Sequence, residues 1–196
     1  PQPEPTRIFR FHKPSGVVTT ERDAEGRQTI YDVLPDGLPR LMPVGRLDLT
    51  SEGLLLLTND GALKRKLELP DTGWIRGYRV GVFGEPDPDQ LATLQQGITV
   101  DGVRYGAIDA QVDTKNGANT WITVSLKEGR NREVRRVMEH LGYRVNRLLR
   151  VAYGPFQLGS MKRGEVKEVP PKVLGEQLGL AQAPERKIGT AKAKPA

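Results

Sequence analysis

The chain has 196 residues, 37% of them hydrophobic, and a net charge of +6 at pH 7, which suits one sizeable domain or two small half-domains sharing a core. It has no cysteine and only two histidines, His12 and His140; disulfides, thiol nucleophiles and cysteine-based zinc sites are excluded, and no spacing joins the histidines to carboxylates as a metal enzyme requires. The longest apolar run, Leu54 to Leu57, is far too short to cross a bilayer, and no export leader, Walker loop or dinucleotide fingerprint is present, so the expectation is a cytoplasmic protein with no membrane partner.

In chain order, Thr6 to Lys13 reads as a strand, Pro14-Ser15-Gly16 as a turn and Val17 to Thr20 as a second short strand. Thr29 to Leu34 predicts one or two helical turns stopped by Pro35, and a Pro/Gly-rich loop leads on to Gly45. Leu54 to Thr58 reads as a buried strand, and Asp60 can cap a helix running to about Leu69. Trp74 to Gly84 predicts a long strand, and Asp87 or Asp89 can cap a helix through Gln96. Strands are expected at Ile98 to Val100, Tyr105 to Val112 and Thr120 to Lys127, the last with the period-two alternation of a half-buried strand. Asn131 to Leu141 is the clearest helix. Val134, Val137, Met138 and Leu141 give it one apolar face, and Gly142 ends it. Val145 to Tyr153 and Val166 to Val169 complete the strands. Several strands follow one another directly without a regular βαβ rhythm, which favours an α+β fold with a largely antiparallel sheet. Residues 181–196 turn to Ala, Lys, Pro and Gly and read as a disordered basic tail.

The charge is unevenly placed. Between Lys127 and Arg163 lie ten lysines and arginines against Glu128, Glu133 and Glu139. An arginine-dominated zone of this kind suits a polyanion, RNA first, or is simply a solvated face. Arg130, Arg132, Arg147 and Arg150 are its phosphate candidates.

The segment Gly45-Arg46-Leu47-Asp48-Leu49-Thr50-Ser51-Glu52-Gly53-Leu54-Leu55-Leu56-Leu57-Thr58-Asn59-Asp60-Gly61 is a polar, glycine-bounded loop, then a buried strand, then a capped turn. Function often sits on a loop that a rigid strand positions. Arg46 and Asp48 can share one face of extended backbone, Arg46 to bind phosphate or brace the loop. Equally, by its residue types alone, Asp48 can cap a turn while Glu52 is solvated and the leucines form core.

The same segment resembles, without a break, the signature GRLDxxSEGLLLLTNDG of the pseudouridine synthase family typified by the bacterial small-subunit rRNA enzyme (the RsuA type). Other stretches agree with it. Phe11-His12-Lys13-Pro14-Ser15-Gly16-Val17-Val18 is similar to the family's opening NKPxGxx strand, Gly77-Tyr78-Arg79-Val80 to its YxV tyrosine, Glu128 to Val137 to its EGRNRQVRRM element, and Leu149 to Phe156 to its closing strand. The resemblance covers about Thr6 to Leu180. It implies a pseudouridine synthase fold, α+β with a largely antiparallel mixed sheet flanked by helices and loops, and an active site in a central cleft. Residues 1–180 would be the catalytic domain, and the S4 RNA-binding module that normally precedes it is absent from this chain.

The activity implied is isomerisation of uridine to pseudouridine in ribosomal RNA, with the wording closest to members acting on the large-subunit rRNA. No cofactor and no metal are implied, and a monomer is the family's default. Asp48 would be the catalytic aspartate, Tyr78 a stacking platform or base, and Arg135 the cation that keeps Asp48 ionised; burial alone would raise a carboxyl pKa, whereas a nearby cation lowers it. Leu47 would line the pocket beside Tyr78. One departure stands out, Glu133 where the family usually has glutamine, which puts a negative charge near the cationic zone. Competing readings are a non-catalytic RNA-binding or ribosome-assembly module, an enzyme of small-subunit rRNA, and a hydrolase pairing Asp48 with Glu52. His12 and His140 read as structural or peripheral.

Overall fold

Four consecutive leucines can be buried in a strand only if both faces of that strand are covered, and this is how the sheet strand β3 (Glu52–Thr58) is placed, with all seven residues buried. The computed structural model describes residues 4–21, 23–69, 73–130 and 132–178, and the chain divides into two compact units.

The first unit comprises residues 1–49, 53–72 and 158–196. Its opening strand β1 (Ile8–Lys13) lies between β3 and a late strand, β11 (Val166–Glu168), antiparallel to each. A short strand β2 (Met42–Val44), absent from the sequence reading, pairs with the end of β3. Phe9 faces Leu57 and Phe11 faces Leu55 across the ladder, and these four side chains join Val17, Ile30, Leu41, Leu47 and Val166 in one core cluster. Burying each such side chain is worth roughly 1.5–3 kcal/mol over leaving it in water.

Helix α1 (Ile30–Val33) begins in a capping box between Thr29 and Asp32. Helix α2 (Gly61–Glu68) begins at Asp60, whose side chain accepts from the backbone N–H groups of Ala62 and Leu63, the cap expected from the sequence. Thr6 donates to the same carboxylate at 2.6 Å, and that bond, with the capped amides, holds the Asp60 carboxyl below its ordinary range. The stretch Val17 to Thr20 forms no strand; Val18 makes only an isolated parallel bridge to Thr29. A last helix, α5 (Pro171–Leu178), was not foreseen, and the predicted tail lies outside the described residues.

The second unit comprises residues 50–52 and 73–157. Strand β4 (Arg76–Phe83) runs antiparallel between β8 (Asn119–Leu126) and β9 (Val145–Tyr153), with β7 (Ile108–Asn116) beyond β8. Asp87, not Asp89, caps α3 (Pro88–Ala92), which tightens into a 3-10 turn over Thr93–Gln96.

The expected single strand from Tyr105 to Val112 is broken. Val103–Tyr105 (β6) pairs with Ile98–Val100 (β5) as a separate two-stranded ribbon, while Ile108 starts β7 in the larger sheet. The ribbon turns on Asp101 and Gly102, both at positive φ, as a two-residue hairpin demands. Helix α4 (Glu133–His140) buries Val134, Val137 and Met138 against Val80, Val82, Ile122, Val124 and Leu148 of the sheet. Residue 131, the expected first residue of this helix, lies outside the described residues.

A two-residue strand β10 (Phe156–Gln157) folds back on β9. The turn between them is made by Gly154, at φ +57, over the indole of Trp74. A methyl group there would collide with that ring in a backbone region that disfavours side chains. Gly154→Ala is therefore expected to cost roughly 2–4 kcal/mol, read as a lower thermal midpoint, whereas a similar change at the open turn glycine Gly117 should cost far less.

Candidate active site

The loop bearing Asp48 is clamped on either side of that residue. Leu47 is buried in the first unit's core, and its carbonyl accepts from the Thr19 hydroxyl at 2.6 Å. The Leu49 carbonyl accepts from the Gly16 N–H at 2.8 Å and from Lys13 Nζ at 3.5 Å. Lys13 is itself fully buried, with its ammonium also donating to the Pro14 carbonyl at 3.0 Å. Gly16 takes φ +89 to present its N–H. The opening Lys-Pro-Ser-Gly turn is thus the bracket that holds the Gly45–Thr50 loop. Between the two clamps Asp48 is half-buried, while Arg46 is exposed. The loop starts at Gly45, whose N–H donates to Glu68 of α2 at 2.9 Å. Thr19, Gly16 and Lys13 were not singled out from the sequence as Asp48's supports, because only the tertiary pairing shows which carbonyls they reach.

The remaining sequence-predicted residues fall in the second unit. Tyr78 sits half-buried on β4, packed against the unit's core. Arg135 lies on α4 with only 8% of its surface exposed, tucked beside the helix's apolar stripe. Arg132 is exposed just before that helix, at φ +54, with its carbonyl accepting from the Arg136 N–H at 2.9 Å. Arg130 is exposed, pairs with Glu128 at 3.2 Å and lies over the Tyr105 ring. Glu128 in turn accepts from the Gly106 N–H.

Two of the expected phosphate candidates occupy different settings. Arg147 forms a two-pronged ion pair with Glu52, Nε at 3.1 Å and Nη2 at 2.9 Å, and also faces the Trp121 ring. Glu52 is 4% exposed, so it is neither solvated nor available as the second carboxylate of a glycosidase-like pair; the ion pair raises the pKa of Arg147 further. Only the Glu52 end of this pair is buried; Arg147 keeps 45% of its side chain exposed, so water offsets part of the cost of losing either partner. Arg147→Ala is expected to destabilise the chain by about 1–2 kcal/mol, with much of the loss recovered in the Arg147→Ala, Glu52→Gln double variant; urea unfolding of the three proteins checks this. Arg150 is not on the surface at all, at 3% exposed.

Glu133 is buried at the start of α4. Burial pushes its carboxyl up to about 8, repulsion from Glu128 adds to the rise, and Arg130 opposes it. His12 Nδ1 shares a hydrogen bond with the Met161 carbonyl at 3.0 Å, a structural contact. His140 is exposed at the end of α4. No helix among the described residues is long and apolar enough to cross a membrane.

The profile of the RNA pseudouridylate synthase family matches residues 7–140. An uncharacterised RNA pseudouridine synthase of Rickettsia bellii is 44% identical over 168 residues, covering 86% of this chain and 72% of its own. The large-subunit pseudouridine synthase B of Haemophilus influenzae is 38% identical over 192 residues, covering 95% of this chain but 54% of its own length. Among solved structures, a pseudouridylate synthase superposes with a TM-score of 0.75 at 27% identity, covering 89% of this chain and 74% of that one. With its α+β architecture and a matched region that spans the Asp48 loop, Tyr78 and α4, the chain belongs to the RNA pseudouridine synthases, the isomerases that turn uridine into pseudouridine.

Proposed function

We propose that this chain isomerises specific uridines of ribosomal RNA, those of the large subunit, with Asp48, Tyr78 and Arg135 in the catalytic roles. The observation that carries the reading is the uninterrupted Gly45 to Gly61 segment folded as a loop clamped at Leu47 and Leu49, leaving Asp48 half-buried between them. The large-subunit relatives, 38% to 41% identical, support the choice of substrate.

The reaction breaks the bond between C1′ and N1 of the uracil, turns the detached base and rejoins C1′ to C5; the proton lost from C5 is balanced by one gained at N1. Atoms are conserved and nothing is oxidised, so the protein's tasks are access, an anionic group at the sugar, and retention of the freed base. Access means flipping the nucleotide from its stack, at a cost of a few kcal/mol. Cationic contacts to the flanking phosphates offset that cost. Asp48 supplies the anion, Tyr78 stacks on the base or removes a proton from the sugar, and Arg135 keeps a carboxylate charged. Arg46, Arg130 and Arg132, all exposed, are the phosphate contacts in this reading, and each should behave as one. Arg132→Ala is expected to weaken RNA binding evenly across sequences and to lower the slope of log affinity against log salt by about 1. Such an enzyme works as a monomer without a cofactor, where bacterial ribosomes are assembled in the cytoplasm.

The test is to incubate the chain with large-subunit rRNA lacking modifications and map pseudouridine by carbodiimide labelling and primer extension. A new stop at a defined uridine supports the proposal. Modification of small-subunit rRNA alone would move the substrate, and tight binding without modification of either RNA would favour a non-catalytic module.

A further inference from the structure

We propose that Arg150 is the positioning residue of Tyr78, setting the orientation of its ring and hydroxyl, and is not a phosphate contact. The inference rests on the reading that Tyr78 works in the active site.

Within the β4–β9 ladder Tyr78 lies directly opposite Arg150. The ladder slips at this point: Gly77 faces Ala152 while Tyr78 faces Arg150, so Val151 is the extra residue of a bulge. A bulge re-aims the side chains beside it and is a device common next to active sites. Here it turns the arginine inward. At 3% exposed, Arg150 cannot meet a phosphate without the sheet moving.

Tyr78, Tyr153 and Arg76 are among the neighbours of the guanidinium. It lies 4.8 Å from the centre of the Tyr153 ring and shares a cross-strand pair with Tyr78, which puts the two side chains on one face of the ladder and the phenol oxygen where it favours the charge. Arginine carries no acceptor, so in a hydrogen bond between the two it donates and the phenol oxygen of Tyr78 accepts. Tyr153 is held in its turn, with Trp74 edge-on at 5.4 Å and Arg76 at 5.1 Å. Arg76 is itself anchored by a 2.6 Å bond to the Lys127 carbonyl. The planar fork thus rests on a ring that is itself packed on other sides, and it faces the Tyr78 side chain across the ladder.

Burial works against the charge of Arg150, and the two tyrosines oppose that effect. A cation kept in the interior at such a cost fits a geometric role better than a gain in stability. Lysine, a point charge on a flexible stem, would keep the charge but lose both the stacking and the fork.

The experiment is a double-variant cycle on the rRNA that the parent chain modifies, using Arg150→Lys, Tyr78→Phe and the two combined. Arg150→Lys is expected to lower kcat about 10–100-fold with KM within about 3-fold, because a misplaced group costs rate more than binding. In the Tyr78→Phe background the same change should lower kcat by less than about 3-fold, since the oxygen it positions is gone. Equal losses in both backgrounds would overturn the proposal. So would a loss confined to KM with a shallower salt dependence, the mark of a phosphate contact.

A parent chain that makes no pseudouridine would count against the catalytic reading, and stability would then decide the contact, as it would if Arg150→Lys failed to fold. Tyr78→Phe should lower the thermal midpoint by roughly 2–8 °C, because it removes the oxygen from an interior guanidinium donor. An unchanged midpoint refutes the pairing.

Discussion

Asp48→Asn is expected to remove pseudouridine formation, lowering kcat by about 10³-fold or more while RNA affinity stays within a few-fold. The substitution keeps the side chain's size and takes away its charge, and that charge is what the reaction asks of it. A positioned acid, base or nucleophile commonly supplies about 10²–10⁴ in rate. The loop should survive the change, because its shape is set by backbone contacts at Leu47 and Leu49. Single-turnover assays and filter binding on the same rRNA separate the two effects. Equal activity of parent and variant would take the role away from Asp48, and a fall in affinity matching the fall in rate would make it a binding residue.

The second large effect concerns stability and pH. Glu133 is 3% exposed, and its carboxyl titrates at about 8 in the folded chain against an ordinary value of 4.5. Between those two pH values the folded state keeps a proton that the unfolded chain has already released. Stability from this group is therefore complete below about pH 4.5, declines as pH rises, and is fully lost above about pH 8. The linkage is worth on the order of 5 kcal/mol as an upper bound, since an ionised glutamate can draw in Arg130 or water.

Glutamine keeps the shape and never ionises. Glu133→Gln should be nearly neutral at pH 5 and stabilise the chain by roughly 2–4 kcal/mol at pH 9. Urea midpoints at the two pH values measure it. A gain of the same size at both would mean that packing, not charge, distinguishes the two residues. Because Glu133 opens the helix that carries Arg135, the same substitution should also extend activity toward alkaline pH. By sequence the position is only a departure from the family's usual glutamine. It is burial beside Glu128 that turns the departure into a pH liability.

Much of this protein was written in short stretches of sequence. The Asp60 cap, the Val134, Val137 and Met138 stripe and the alternation of Thr120 to Leu126 each depend on residues within a turn or two, so local chemistry is enough to place them. The catalytic candidates were legible for a different reason. A long glycine-bounded signature names Asp48 directly, whereas Tyr78 and Arg135 acquired their roles only through resemblance.

Tertiary structure decided whatever depends on a distant partner. Strands of two or three residues, β2 and β10, exist only because a neighbour completes their hydrogen bonds. Val17 to Thr20 has strand composition but gains just one bridge, and the stretch from Tyr105 to Val112 is divided because its two ends pair in different sheets. Charge followed the same rule. By residue type Arg130, Arg132, Arg147 and Arg150 are alike, yet Arg132 is exposed, Arg147 grips Glu52 and Arg150 is interior. Sequence determined which residues are cationic; for the two on β9, the register against β4 and the slip at Val151 decided that Arg147 meets solvent and Arg150 does not, since burial belongs to the whole ladder and not to any one stretch of chain.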